Sequence, residues 1–383
     1  MATERGQRDV RTIPAAGGTA TPVTADLPAD WEPFWAHDGR SLFFLSDRGG
    51  NADLWRVALN EASGAPGGAP TPVTTGVASV MGGSVSADGQ RVAIVVSEAR
   101  SELLKLGFDP VAGRAEGTPT RVFASSNAMT QPALSPDGAW IACRTVSPRE
   151  DLFVMRSDGT DRRRLTDDTF RNRGPQWVRG SEWLVFYSNR GGGYDVWLMR
   201  ADGTQPRQIT KHPEGDVNQP TISRDGTRLA ATASVGGEFS LATARVDDSW
   251  FAPGPGPAPV QLETLVEGFY PGVWSPDGQR LLGTARTPEG SAPSVYDVAT
   301  RHFEPRTDLA GLTGGSSWLP DSRHVLAWDG RRKTAVLWDA DSREVRDIPG
   351  IPGPADLKLS ADGRTLVVNH TELEGDVWLL TLQ

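Results

Sequence analysis

The chain has a single cysteine, Cys143, and no apolar run approaching the ~18 residues that a membrane-spanning helix needs. One thiol excludes a disulfide scaffold and a cysteine-ligated zinc site. Positive charge is in the minority, with 39 Lys+Arg against 48 Asp+Glu and a net charge of −9. That balance argues against a basic nucleic-acid binder, so neither nucleic-acid binding nor membrane insertion is expected. Residues 1–11 are polar and charged, with no apolar stretch before a small-residue cleavage site, so no secretory signal is visible. A cytoplasmic location is expected for the chain as written, and a periplasmic or extracytoplasmic one if its N-terminus is truncated.

Catalytic signatures are also missing. No nucleophile elbow G-x-S-x-G occurs, since Gly82-Gly-Ser-Val-Ser86 and Gly314-Gly-Ser-Ser-Trp318 both fail at the last position. There is no H-E-x-x-H, Walker loop or dinucleotide loop, and the five histidines are scattered. The expectation is therefore a protein that is not an enzyme, without cofactor or metal. Cys143, after Trp140-Ile-Ala on a predicted strand, reads as a buried small apolar residue.

What the chain does hold is turn formers, 43 Gly and 29 Pro, together with 13 Trp. A Ser-x-Asp-Gly motif recurs at Ser86-Ala-Asp88-Gly89, Ser135-Pro-Asp137-Gly138, Ser223-Arg-Asp225-Gly226, Ser275-Pro-Asp277-Gly278 and Ser360-Ala-Asp362-Gly363. Degenerate copies stand at Asp38-Gly39, Arg179-Gly180 and Asp321-Ser322. Eight anchors at a spacing of roughly 46 residues mark a repeat array. Within the period 175–210 the sequence predicts four short strands, rich in β-branched and aromatic residues and separated by Gly, Asn and Asp turns. Copies of a four-stranded antiparallel meander make an all-β, single-domain β-propeller. Eight blades are expected, with seven the alternative. The turn aspartates, repeated in every blade, read as turn formers and not as catalytic carboxylates.

The ends predict how the ring closes. The chain stops after a third-strand pattern at 376–382, and an orphan fourth-strand pattern, Thr19-Ala-Thr-Pro-Val-Thr24, stands near the start. Residues 19–24 are therefore expected to complete the last blade, after a partly flexible segment 1–18 and before repeats over 25–383. Pro/Gly-rich stretches at 61–70 and 249–259 are expected to protrude as loops. The Arg of Ser46-Asp-Arg48 and of Ser188-Asn-Arg190 is expected to tie its loop to the third-strand Asp53 or Asp195.

Repeats such as Pro271-Gly-Val-Trp-Ser-Pro-Asp-Gly278, with Ser46-Asp-Arg-Gly-Gly50 and Ser188-Asn-Arg-Gly-Gly192, resemble the TolB-type (WD-repeat-like) propeller repeat of bacterial proteins. The resemblance implies a binding or interaction module. Relatives of this type also serve as sensory domains of receptor-like kinases and as gating domains of oligopeptidases, and a distant set are lyases. The module is expected to be monomeric and to dock a protein or peptide.

Strand parity places the candidate site. Residues just before each first strand, with those flanking them, should ring one channel mouth, which singles out Glu32, Gln131, Gln219 and Tyr270 and, beside them, Trp31, Arg173 and Asn218. Acidic residues assigned to the same face, among them Asp30, Asp216, Glu267 and Asp356, predict an acidic mouth that would steer cationic partners.

Overall fold

The computed structural model describes residues 9–382 except 27, 50, 51, 76–78, 126, 127, 147, 148, 179, 213, 289 and 354, and the backbone alone at 98, 99, 314, 355 and 373. Part of the expected flexible segment, 1–8, and the anchor residue Arg179 lie outside the described residues. Among the described residues no helix is long and apolar enough to cross a membrane.

The turns explain the repeat. In each of the five full motifs the Ser hydroxyl donates to the Asp carboxylate at 2.5–2.6 Å. The Ser oxygen accepts from the backbone N–H five residues on, and the Asp from the N–H two residues on. Gly fills the left-handed position, with φ of 71° at Gly89 and 67° at Gly278. In the degenerate copy, Ser322 takes that conformation with φ 58°. These aspartates are turn formers.

A second device closes the outer edge. Thr74 donates to Asp53 Oδ1 at 2.9 Å and accepts from Leu54 N at 2.9 Å. Thr166 does the same with Asp151 and Leu152, and Thr210 with Asp195 and Val196. Each hydroxyl latches a two-residue fourth strand, Thr71–Pro72, Arg163–Arg164 or Arg207–Gln208, to the start of the third.

The chain divides into two compact units. The smaller comprises 1–100, 146–149 and 372–383. It holds the sheet Asp30–Trp35, Ser41–Ser46, Asp53–Ala58, Thr71–Pro72, whose second strand is buried along its whole length. Phe43, Leu45, Leu54, Val80 and Ile94 form its core. Such a strand shows no polar alternation because both its faces are covered. The larger unit, 101–145 and 150–371, holds five complete four-stranded meanders, beginning at Met129–Leu134, Asn172–Val178, Asp216–Ile222, Phe269–Trp274 and Leu312–Trp318. Indole N–H groups bond from one sheet to the next: Trp177 to Ala133 O at 2.8 Å, Trp274 to Thr221 O at 3.3 Å and Trp318 to Val273 O at 3.2 Å.

The expected eight-bladed ring is not what the structure shows. Eight first strands are present, but residues 19–24 do not join the last blade. Thr21–Pro22 pairs with Arg11–Thr12 in a local two-stranded sheet, with Val23 N donating to Val10 O at 2.8 Å and Val10 N to Thr24 Oγ1 at 3.0 Å. In two places the second-to-third-strand hairpin of the repeat is absent. Arg91–Asp109 and Thr365–Thr381 each run straight on: within the smaller unit the first pairs with Ser79–Val85, and within the larger it pairs with Arg114–Ser125 and the second with Ala355–Leu359. Turn chemistry supplies the reason. Elsewhere the second-to-third connection carries Asn189-Arg-Gly-Gly-Gly193 or Gly236-Gly237, whereas 97–101 (Ser-Glu-Ala-Arg-Ser) contains no Gly, Asn, Asp or Pro, and 370–374 (His-Thr-Glu-Leu-Glu) has turn formers only at its flanks, Asn369, Gly375 and Asp376.

Two smaller expectations are corrected as well. The stretch 249–259 is anchored at its start, not wholly protruding: Asp248–Phe251 is a 3-10 turn with Trp250 buried in the core beside Val196 and Leu198, while 252–255 and 258–259 are exposed. The buried Arg207 holds it by donating to Trp250 O at 2.6 Å and Gly254 O at 3.1 Å. Arg48 and Arg190 bind the start of the first strand, not the third-strand Asp. Arg48 pairs with Asp30 and Asp26, Arg190 with Asn172 and Asp168, and each guanidinium also lies over the third-strand Trp55 or Trp197.

Candidate functional site

The first strands of the larger unit position the site. In contact order they are Met129–Leu134, Asn172–Val178, Asp216–Ile222, Phe269–Trp274, Leu312–Trp318 and Ala355–Leu359, and the last also touches Met129–Leu134. They border a cavity of about 300 Å³ whose walls include Gln131, Gly174, Gln219, Gly272, Gly315 and Asp356. A second cavity of about 360 Å³ is walled further along the same strands by Trp177, Trp274 and Trp318. Gln176 and Lys358 border both.

Backbone geometry marks the mouth. Gln131 and Gln219 have φ of 55° and 50°, and Gly174 has 60°, each followed by proline and each at a register shift in its first strand. Left-handed geometry is uncommon for residues with a Cβ and costs on the order of 1–2 kcal/mol. Two glutamines held there are strained positions of the kind that cluster at ligand sites. In the smaller unit Glu32, before Pro33, has the same geometry at φ 48°.

The remaining sequence-derived residues scatter. Trp31 and Glu32 stand on Asp30–Trp35 of the smaller unit, Trp31 packed against its core and Glu32 exposed. Asn218 sits opposite Thr232 and is absent from the cavity wall. Tyr270 stacks on Phe239 with centroids 3.7 Å apart, leaving its neighbours Pro271 and Gly272 to line the cavity. Arg173 grips Glu150, which raises its pKa, and lies over the Tyr194 ring at 5.4 Å.

Behind Gln131 lies a charged cluster. Its Oε1 accepts from Arg144 Nε at 2.7 Å and from Gly174 N at 2.9 Å. Burial pulls the Arg144 pKa down, while Glu150, 3.6 Å away and shared with Arg173, opposes the shift. Burial likewise raises the pKa of Tyr187, another wall residue. Asp356 Oδ1 accepts from Gly315 N at 2.7 Å and Oδ2 from Thr130 Oγ1 at 3.2 Å, so this carboxylate is committed to its neighbours. Gln176 and Gln219, by contrast, make no side-chain hydrogen bond among the described residues. Sequence reasoning placed Asp356 on this face but missed Gln176 and Lys358. The signal available was two-residue periodicity: Asp356 and Lys358 share one face of a first strand.

Residues 65–251 match the family model described as the TolB beta propeller domain, PD40. This stretch is TolB/PD40-like. An uncharacterized protein of Agrobacterium fabrum is 31% identical to this chain over 189 residues, covering 48% of the chain and 59% of that protein. Dipeptidyl-peptidase 5 of Porphyromonas endodontalis is 28% identical over 142 residues, covering 32% of the chain and 20% of that protein. The chain thus spans less than two thirds of either relative. Among solved structures, a gluconolactonase from Xanthomonas campestris shares 16% identity at a TM-score of 0.50, covering 72% of the chain and 95% of that structure, a likeness of fold alone. The expectation of a protein that is not an enzyme is corrected here, because a dipeptidyl-peptidase stands among the sequence relatives of this chain.

Proposed function

We propose that the larger unit is a binding module that receives a segment of a peptide or protein partner at its first-strand cavity. The observation that carries this reading is the pair of amide side chains, Gln176 and Gln219, in the cavity wall with no side-chain hydrogen bond among the described residues. A primary amide offers donors and an acceptor, the complement of a peptide group. Size points the same way. About 300 Å³ lies at the small end of the ~300–1,000 Å³ typical of ligand sites, room for the end of a chain and not for a folded surface. Strain at Gln131 and Gln219 accords with residues held for contact, and the name of the dipeptidyl-peptidase relative puts peptides among the things that protein handles.

The test is selection from a phage-displayed random peptide library on immobilised protein. Peptides enriched on the wild type should bind Gln176→Ala/Gln219→Ala at least tenfold more weakly. Failure to enrich any sequence, or equal binding by the double variant, refutes the reading.

A further inference from the structure

Lys358 stands on Ala355–Leu359 where both cavities meet, half-buried by area. Its ammonium has no hydrogen-bond or ion-pair partner among the described residues. The nearest compensating charge on its own strand face, Asp356, is already held by Gly315 N and Thr130 Oγ1. An ammonium carries three donors, and enclosing one in protein without acceptors is costly. Protein packing around Lys358 lowers its pKa, with Asp356 opposing the shift.

We propose that Lys358 anchors the carboxylate of a bound ligand, with Gln176 beside it donating a further hydrogen bond. This rests on the peptide reading above and adds the polarity of the ligand: the acid end enters first. A monoanion suits the site better than a phosphate dianion, because Lys358 and Asp356 together are neutral and a second negative charge would face Asp356 unopposed. The charge-assisted bond from ammonium to carboxylate is roughly twice as strong as a neutral one, and stronger still away from bulk water. Two sources share this chemistry, the C-terminus of a peptide and a small free organic acid.

Isothermal titration with three probes separates the outcomes: tri-alanine with a free carboxylate, tri-alanine amide and propionate. The wild type should bind the free-acid peptide at least tenfold more tightly than the amide. Lys358→Met and Lys358→Gln should bring that ratio close to one, with their circular dichroism and melting temperature checked first, and Lys358→Arg should keep part of it. Propionate binding as tightly as the acid peptide, and lost with Lys358→Met, would support the anchor and assign it to free acids, against the peptide reading. Equal binding of acid and amide by the wild type, or a ratio unchanged in a folded Lys358→Gln protein, would overturn the anchor while leaving peptide binding in place.

Discussion

At the scale of single residues, the third-strand aspartates carry the most tension. Asp195 accepts from Thr210 Oγ1, Gln208 Nε2 and His212 N, yet burial outweighs these bonds and lifts its pKa from 3.8 to about 6, with Asp216 adding to the rise. Between those values the native chain binds more protons at this site than the unfolded chain. The stabilising contribution of Asp195 is therefore present at low pH and lost as pH rises through about 6. Asp195→Asn, permanently neutral, should gain in melting temperature relative to the wild type between pH 4 and pH 7. Thermal denaturation at both values checks it, and a constant or opposite difference would show that the carboxylate is not destabilised. Residues with a local job were readable without coordinates. The Ser-x-Asp-Gly turns close within six residues, and Cys143 is fully buried, its thiol pushed up to about 12. Arg48 and Arg190 were misjudged because their partners, Asp30 and Asn172, lie 18 residues upstream across a strand pair.

At the scale of elements, the first strands combine two demands that conflict. They must pair with the second strand and also turn a side chain towards the cavity, and the bulge before proline meets both at the cost of a left-handed residue. Gln219 has no compensating side-chain bond among the described residues, so relieving its backbone should stabilise the protein. Gln219→Gly removes a penalty of ~1–2 kcal/mol. The greater freedom of glycine in the unfolded chain returns roughly 0.5–1 kcal/mol of it. A net gain of up to about 1 kcal/mol in urea denaturation, with weaker peptide binding, is the expected pair of outcomes. A loss of stability would mean that the bulge is unstrained. The four-strand meander was legible from Gly, Asn and Asp punctuation, and so was the position of Gln131 and Gln219. The continuous strands Arg91–Asp109 and Thr365–Thr381 were not, because repeat periodicity suggests a turn at 97–101 and 370–374 where the residues there favour none.

At the scale of the whole molecule, every residue of the candidate cavity falls between 131 and 358, within the larger unit. Removing 372–383, which belong to the smaller unit, should lower the melting temperature but keep the preference for acid over amide peptide. Loss of that preference in a folded truncated protein would place part of the binding determinant outside 101–371. The spacing of the anchors was legible but the blade count of eight drawn from it was not borne out: among the described residues two of the eight first strands, Ser79–Val85 and Ala355–Leu359, fall in one sheet. The two-residue fourth strands have a consequence for engineering. A hydroxyl latch fixes each of them at one point, so the stretch leading into it can lengthen at an entropic cost that grows only with the logarithm of its length. A fluorescent reporter or affinity handle grafted between a third strand and its latch threonine would be carried at the rim, leaving the ligand chamber as it is.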